Sequence, residues 1–176
     1  FRMYFFKETI YKKKKSATDI MTIIIAIFGA LLILRLLTLQ VYLQISLLIT
    51  LLPLEYAGVI YGAYRIIIGT SVEYEYSVTN DTLDIDKIIA RKSRKKILSV
   101  SSRSFEYFAP LSEEHKSAFE DSDISKKIDV TSGNGAPLYF AVYYNNSEKT
   151  RLVFEPTKEM IENFSRYVPR SLNHTV

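Results

Sequence analysis

The stretch "VEYEYSVTNDTLDIDKII", residues 72–89, alternates apolar with polar side chains on both sides of the pair Asn80–Asp81. A period of two is typical of a β-strand with one covered face, and an Asn–Asp pair is typical of a tight turn. The stretch therefore predicts a β-hairpin, and this hairpin decides the fold class of the residues that follow. The side chains assigned to its covered face are Val72, Tyr74, Tyr76, Val78, Leu83 and Ile85.

Short apolar segments downstream predict further strands. They are "KKILSV" from residue 95, "FEYFA" from 105, "KIDVT" from 127, "PLYFAVYY" from 137 and "TRLVFE" from 150. The polar stretch 111–126 is expected to form a loop or a short helix. A closing helix is predicted after Thr157, which is a suitable N-cap, and Pro169 ends it.

Strands followed by one C-terminal helix make an α+β domain over residues 70–169, with a short tail at 170–176. With both strands of the hairpin counted, this is the element order of the pleckstrin-homology superfold, a seven-strand β-barrel or sandwich. The strands and the helix supply their own apolar faces. The domain is therefore expected to fold without the residues that precede it.

Residues 20–68 are almost wholly apolar. Roughly 20 residues cross the hydrocarbon core of a bilayer, so this block predicts two transmembrane helices, at 20–42 and 46–68. Gln40 and Gln44 would then lie at the outer turn, in contact with water. A cleaved signal peptide is the competing interpretation of the first segment, but "FGALLILRLLTLQ" contains no convincing small-x-small cleavage site.

Basic residues flank the apolar block on both sides. The run Lys12 to Lys15 precedes it, whereas Arg65 and "RKSRKK" at 91–96 follow it. Because cytoplasmic flanks carry an excess of Lys and Arg, we expect a multi-pass protein of the cell membrane with both termini in the cytoplasm. Residues 1–19 form a separate basic segment, whose aromatic side chains are expected to lie in the membrane interface.

Small residues predict how the two helices pack. Folding them antiparallel about residue 44 places Ala26 and Ala30 level with Gly62 and Gly58. Small residues spaced four apart allow helices to approach closely, so these residues are predicted to form the contact within the helical hairpin. The alternative is that Gly58 and Gly62 serve a homodimer.

Arg35 and Glu55 are charged residues within the predicted spans. A charge in hydrocarbon is costly and is usually paired or functional. The hairpin places Arg35 within one turn of Glu55, so the two are predicted to form an intramembrane pair, with Pro53 kinking the second helix. Alternatively, Arg35 extends to the outer surface, and Glu55 is neutral or in contact with another protein.

The basic cluster at 91–96 follows the hairpin directly. A strand advances about 3.3 Å per residue, so the second strand returns the chain over the distance by which the first leaves the membrane. The cluster is therefore expected to contact anionic headgroups, each residue contributing on the order of 1 kcal/mol. Alternatively, these residues only set the topology. The residues predicted to bind lipid or a partner are Arg91, Lys92, Arg94, Lys95 and Lys96, together with Lys12, Lys13, Lys14 and Lys15.

Three segments of the chain carry a resemblance to a known family. They are "EYxxTNxxLDID" within the hairpin, "RKSRKK" after it, and the closing "LVFEPTKEM…YVPR". The whole chain resembles an uncharacterised family of small bacterial membrane proteins, a domain of unknown function. It is also similar to membrane-attached bacterial pleckstrin-homology-like domains. The resemblance implies two membrane helices followed by a cytoplasmic domain of that fold, and it brings no catalytic residues.

No pattern in the chain predicts catalysis, a cofactor or a metal site. The chain has no cysteine, and His115 and His174 have no recognisable metal-ligand spacing, so both are expected on the solvated surface. "SGNGA" at 132–136 lacks the Lys and Ser or Thr of a phosphate loop and predicts a turn. Asp84 and Asp86 are expected on a solvated strand face, with partner contact or metal binding as alternatives. Nucleic acid is not expected, because "RKSRKK" lacks a reading helix or a stacking platform.

Two function classes follow from these observations. The leading one is a non-enzymatic, membrane-anchored binding or scaffold module that binds a protein partner or anionic lipid headgroups. The alternative is a small integral-membrane enzyme or transport component that uses Glu55 and Arg35. A polar cavity around Glu55 would favour the second class, whereas an exposed strand edge or groove on the domain would favour the first.

Overall fold

A computed structural model describes residues 5–175. These residues divide into two compact units. The first is a β-sandwich made of residues 5–14, 73–88 and 93–175, and the second is a helical unit made of residues 15–72 and 89–92. The α+β class predicted from the sequence is confirmed.

The first sheet of the sandwich has the order β1-β2-β3-β4. Its strands are β1 (Phe6–Lys12), β2 (Val72–Thr79), β3 (Thr82–Ile89) and β4 (Ser93–Ser101). The predicted hairpin is confirmed as β2 and β3, and Asn80 takes the left-handed φ of 54° in the turn between them. The buried side chains of this hairpin include Tyr74, Tyr76, Val78, Leu83 and Ile85. Val72 is only half-buried.

The second sheet has the order β5-β7-β8-β6. Its strands are β5 (Phe105–Pro110), β6 (Lys126–Asp129), β7 (Tyr139–Asn145) and β8 (Glu148–Phe154), so each strand predicted from the sequence is present. β6 runs parallel to β8, whereas the other pairs are antiparallel. The closing helix, α5 (Lys158–Phe164), begins at the predicted N-cap, where the Thr157 hydroxyl accepts a hydrogen bond from the Met160 N–H at 3.4 Å.

Aromatic side chains fill the core between the two sheets and α5. The ring centroids of Phe108 and Phe164 lie 5.7 Å apart at nearly right angles, and those of Tyr76 and Phe154 lie 6.2 Å apart. Stretch 111–126 contains a 3₁₀ turn (Glu113–His115) and the short helix α4 (Lys116–Phe119). This short helix packs Phe119 against a second apolar cluster. The cluster comprises Ala109, Phe140, Val142 and Val153.

β1 is the element that the sequence analysis did not predict. Its residues were expected at a membrane interface, but they pair antiparallel with β2, from Phe6 opposite Thr79 to Lys12 opposite Glu73. The Tyr11 ring lies 5.1 Å from that of Tyr76. The sandwich is therefore not contained within residues 70–169, because one of its strands comes from before the helices.

The helical unit contains α1 (Ala17–Leu37), the short α2 (Leu39–Tyr42) and α3 (Ser46–Gly69). A capping box between Ser16 and Asp19 begins α1, and the turn before α3 includes Gln44 with a φ of 53°. α1 and α3 pack against each other, and neither has a buried residue. The two helical stretches 17–42 and 46–69 are long and apolar enough to cross a membrane.

The helices are an insertion within a pair of adjacent strands. The chain leaves β1 at Lys12, passes through α1 and α3, and enters β2 at Val72. Lys12 and Glu73 are nevertheless direct partners in the sheet. The pairing of β1 with β2 thus brings together the two ends of the helical segment.

Candidate lipid and partner interface

The predicted basic cluster is divided between the two units. Residues 89–92 group with the helices, whereas Arg94, Lys95 and Lys96 belong to the sandwich. The first part is a two-residue turn, in which Ala90 and Arg91 have left-handed φ values of 53° and 57°. The Lys92 N–H closes the turn with a hydrogen bond of 3.1 Å to the carbonyl of residue 89.

Hydrogen bonds hold this turn at the end of α3. The Ala90 N–H donates to the Ser71 carbonyl at 2.9 Å. The Lys15 ammonium donates to the Thr70 hydroxyl at 2.8 Å, which brings the beginning of α1 to the same place. The basic residues gathered at this end of the helical unit are Lys15, Arg91 and Lys92.

The backbone of this turn is strained. A turn of this type favours Asn-Gly, because both central residues need a positive φ. Ala90 and Arg91 adopt that conformation with a Cβ atom present, at a cost of roughly 1–2 kcal/mol per residue. Strained residues of this kind concentrate at functional positions. Asn146 and Ser147 adopt the same conformation in the turn between β7 and β8, so this strain alone assigns no role to Arg91.

Arg94 and Lys96 are engaged by acidic residues of the sandwich. The Arg94 guanidinium donates to Glu75 Oε1 at 2.9 Å and lies 2.7 Å from Glu75 Oε2, and Glu75 is only 6% exposed. The Lys96 ammonium lies 2.7 Å from Asp84 Oδ1. Burial acts to raise the pKa of Asp84, but hydrogen bonds from Lys96 and Ser99 and the Lys96 charge hold it below its usual range. The acidic strand face and half of the basic cluster thus neutralise each other.

The paired carboxylates predict loss of stability in acid. The pKa of Asp81 is lowered by a hydrogen bond from Ser101 and by Arg103, and that of Asp121 is lowered by Lys149. A carboxyl whose folded pKa lies below the unfolded value of about 3.9 stabilises the fold above that pH and loses its contribution as the pH falls further. We expect the melting temperature of the full-length protein in detergent to fall below about pH 4.

Three substitutions test this pH dependence. The combined variant Asp81→Asn, Asp84→Asn and Asp121→Asn should melt lower at pH 7 but should change less between pH 5 and pH 3. Replacing the exposed Glu162 by Gln provides the control, which should follow the unmodified protein. If all three proteins lose stability equally in acid, the carboxylate contacts are not the cause.

The segment before α1 is hydrogen-bonded to the loop at 132–136, which we call the clasp. The Lys14 N–H donates to the Ser132 carbonyl at 2.7 Å, and the Asn134 side chain donates to the Lys12 carbonyl at 2.9 Å. Glu155 is 1% exposed and accepts hydrogen bonds from the N–H and the hydroxyl of Ser132, both at 3.1 Å. The predicted turn thus also fixes, by hydrogen bonds, the segment that connects β1 to α1. The Lys13 ammonium lies 6.0 Å from the centroid of the Tyr74 ring.

Both histidines were expected on the solvated surface, whereas His115 and His174 are half-buried and their ring centroids lie 5.6 Å apart. The Tyr107 hydroxyl lies 2.9 Å from His115 Nδ1, and the His174 ring stacks on Tyr107 with centroids 4.4 Å apart. Burial and the charge of Glu114 raise the pKa of Tyr107. The tail carrying His174 is bound to β5 through a bridge between residues 108 and 173. No short-range pattern reveals this cluster, because His174 comes from the C-terminal tail, far from Tyr107 and His115 in the chain.

Glu55 has a different partner from the one predicted. Gln40 Nε2 donates to Glu55 Oε2 at 3.1 Å, so Gln40 is not simply a turn residue in water. Across residues 5–175, no ion pair joins Arg35 to Glu55. Gln40 Oε1 is buried and has no hydrogen-bond partner. The predicted Arg35–Glu55 pair is therefore replaced by an amide–carboxylate contact that leaves one acceptor unsatisfied.

Small residues of α1 and α3 border a groove. Ala26, Ala30 and Gly62 line an apolar groove of about 330 Å³ between the two helices. A Cβ atom added to Gly58 or Gly62 would meet nothing within 4 Å. Gly62 thus borders the same groove as Ala26 and Ala30, and close packing of the glycines within the hairpin stays a prediction. Their use in a homodimer stays a prediction.

Comparison with known proteins agrees with this architecture. A family model described as "Bacterial PH-like domain (DUF6106)" matches residues 3–174. No curated protein and no solved structure gives a match. A PH-like sandwich of two sheets with a C-terminal helix indicates a binding or scaffold module. Since the match extends over nearly the whole chain, the protein belongs to this family of bacterial PH-like domains.

Proposed function

We propose that this protein is a non-enzymatic binding module that α1 and α3 anchor in the cell membrane, with both termini in the cytoplasm. Its basic residues at the end of α3 bind anionic lipid headgroups in this proposal. The apolar surface of the helices supports the membrane anchor, because Phe28 is 69% exposed and Leu47 is 73% exposed. Apolar patches of this extent are rare on the water-exposed surface of a monomer.

The position of the Ala90–Arg91 turn is the observation that carries the lipid proposal. Its hydrogen bond to Ser71 keeps the turn at the end of a helix that is apolar enough to span a bilayer. Basic side chains at such a place lie within reach of headgroups, and each contributes about 1 kcal/mol near an anionic surface. Lys15 adds a charge at the same end through its contact with Thr70.

The strand pairing supports the proposed topology. Lys12 and Glu73 are partners in one sheet, so the residues before and after the helical segment lie on one side of any membrane that it crosses. A segment that crosses the membrane twice has both ends on the same side, whereas a segment that crosses once does not. Cleavage of the first helix as a signal peptide would also remove β1 from the protein. The enzyme alternative called for a polar cavity at Glu55, whereas the two grooves described between α1 and α3 are apolar and are lined by neither Arg35 nor Glu55.

Lipid selectivity in reconstituted vesicles tests the proposal. The full-length protein is placed in phosphatidylcholine vesicles with a trace of spin-labelled phosphatidylglycerol or phosphatidylcholine, and the motionally restricted fraction of each label is measured. We expect the anionic label to be preferred, with a preference that declines as salt rises from 0.05 to 0.5 M, because salt screens the attraction to about a Debye length. Replacing Lys15, Arg91 and Lys92 by Gln should remove most of the preference.

The chain itself offers a matched control. Replacing Arg94 and Lys96 by Gln removes charges from the same cluster, but both are engaged by Glu75 and Asp84. This control should keep most of the preference for the anionic lipid. Equal losses in the two variants would show a non-specific charge effect, and no preference in the unmodified protein would refute the lipid proposal.

A further inference from the structure

We propose that Glu55 and Gln40 form a docking site for a transmembrane helix of a partner protein, one that presents a lysine or arginine side chain at the depth of Glu55. This inference rests on the proposed function, because it requires α1 and α3 to span the membrane. The site is the amide–carboxylate contact between the two side chains, with Gln40 Nε2 and Glu55 Oε2 3.1 Å apart.

The first argument is the charge of Glu55. A carboxylate within hydrocarbon is costly unless a cation or several donors compensate it. Gln40 supplies a neutral donor, and across residues 5–175 neither Arg35 nor Arg65 forms an ion pair with Glu55. The two helices thus place no cation on this carboxylate, and a basic side chain from another helix supplies one.

The second argument is the unsatisfied acceptor on Gln40. Its Oε1 atom is buried and accepts no hydrogen bond. The carboxylate of Glu55 and this carbonyl oxygen belong to side chains in direct contact, so they form a pair of neighbouring acceptors. A lysine ammonium has three donors and an arginine guanidinium has five, whereas a hydroxyl has one. One cationic side chain therefore pairs with Glu55 and, once the Gln40 side chain turns outward, also satisfies its carbonyl oxygen.

The third argument is access along α3. Gly58 and Gly62 lie three and seven residues after Glu55, on the same face of the helix. A Cβ atom added to either glycine would meet nothing within 4 Å, so both glycines leave open space beside α3, and at Gly62 this space joins the groove next to α1. Small residues allow a second helix to approach closely enough for a side chain to reach a polar group. The glycines allow the partner helix to approach closely, and Glu55 favours a partner helix that carries a basic side chain.

A designed peptide supplies the test. The probe is a leucine-rich transmembrane peptide with one lysine at the depth of Glu55, and the reference peptide has leucine there. Energy transfer between each labelled peptide and the labelled full-length protein is measured in phosphatidylcholine vesicles. We expect the lysine peptide to associate about tenfold more strongly, as polar contacts between membrane helices allow. Glu55→Gln should abolish the difference between the peptides.

If Glu55→Gln disturbs the packing of α1 against α3, a charge reversal at the same position still tests the inference. The Glu55→Lys protein should prefer a peptide with one glutamate to the lysine peptide. Arg35→Gln is the matched control and should leave the preference for the lysine peptide unchanged. If Arg35→Gln creates a preference that the unmodified protein lacks, the cation is internal and the inference is wrong.

Two further outcomes would overturn the inference. One is equal association of the lysine and leucine peptides with the unmodified protein. The other is energy transfer between two copies of the protein that depends on Glu55 and excludes the peptide, which would assign the face to a second copy. Protease protection of α1 and α3 is measured on the same vesicles. Unprotected helices would refute the membrane anchor, whereas protected helices without peptide preference would refute the docking site alone.

Discussion

A fragment that begins at residue 70 is expected to melt far below a fragment in which residues 5–14 are joined by a short Gly-Ser linker to residues 71–175. The short fragment lacks β1, so the edge of β2 loses its hydrogen-bonded partner along the whole register from Thr79 to Glu73. It also loses Tyr11, whose ring packs 5.1 Å from the buried Tyr76. The linker is feasible because Lys12 and Glu73 are already neighbours.

The expected difference is large. Removing a fully buried aromatic side chain costs about 3–5 kcal/mol; the half-buried Tyr11 contributes less than that, and the lost strand adds to it. About 3 kcal/mol lowers the melting temperature of a domain of about 100 residues by roughly 12–24 °C. Thermal melting followed by circular dichroism measures the difference. The short fragment is expected to have little cooperative transition at 37 °C.

A variant of the linked fragment serves as the control. Replacing Tyr11 by Ser keeps the strand but removes the aromatic packing, so its melting temperature should lie between those of the two fragments. Replacing the exposed Ile10 by Thr should have little effect, because Ile10 is 52% exposed. Equal melting of the short and linked fragments would mean that β1 is not an integral strand of the sandwich.

Substitution of Glu155 by Ala is expected to cost about 3 kcal/mol, whereas substitution by Gln should cost less than about 1 kcal/mol. Glu155 is the buried acceptor for the N–H and the hydroxyl of Ser132. Alanine leaves both groups unsatisfied and creates a cavity. Glutamine keeps one acceptor for the N–H and adds a donor for the hydroxyl, and it removes a buried charge.

Hydrogen exchange locates the effect of this substitution. The Lys14 N–H donates to the Ser132 carbonyl, so loss of the Glu155 contact should increase exchange at Lys14 and Ser132 before it increases exchange in β7 and β8. Thermal melting of the full-length protein in detergent gives the stability. Similar melting temperatures for the Ala and Gln variants, or unchanged hydrogen exchange at Lys14, would contradict the inference that Glu155 stabilises the clasp through Ser132.

The elements that could be predicted from the sequence are those whose signals are local. The hairpin was visible because its apolar alternation and its Asn80–Asp81 turn lie within 18 consecutive residues. The N-cap at Thr157 and the strands of the second sheet have the same property. Each depends on the order of neighbouring side chains, which sequence patterns describe directly.

β1 could not be predicted for the opposite reason. Its stabilising contacts are with β2, and the two strands are separated by the whole helical segment. Locally, Phe6, Ile10 and the neighbouring lysines are equally typical of a membrane interface, and Phe6 and Ile10 are exposed in the sheet. Only the edge of β2 distinguishes the two interpretations, and that edge is not a local property of residues 6–12.

The candidate interface was predicted in part. The basic residues were recognised, but their division was not, because the pairing of Arg94 with Glu75 depends on how the strands lie in the sheet. Helical depth suggested Arg35 as the partner of Glu55, whereas the short α2 brings Gln40 there instead. The depth argument assumed one continuous helix, so it did not include the break between α1 and α2 at Thr38.

The insertion of the helices between β1 and β2 has a consequence for biogenesis. The partner strand of β1 emerges from the ribosome only after both helices, so β1 stays unpaired while the helices insert, if they span the membrane as proposed. A chain whose helices insert incorrectly leaves β1 and β2 on opposite sides of the membrane. Such a chain presents the unpaired edge of β2, which is the kind of surface that invites aggregation. Under the proposed topology, folding of the domain is therefore conditional on correct membrane insertion, because only correct insertion completes the sheet.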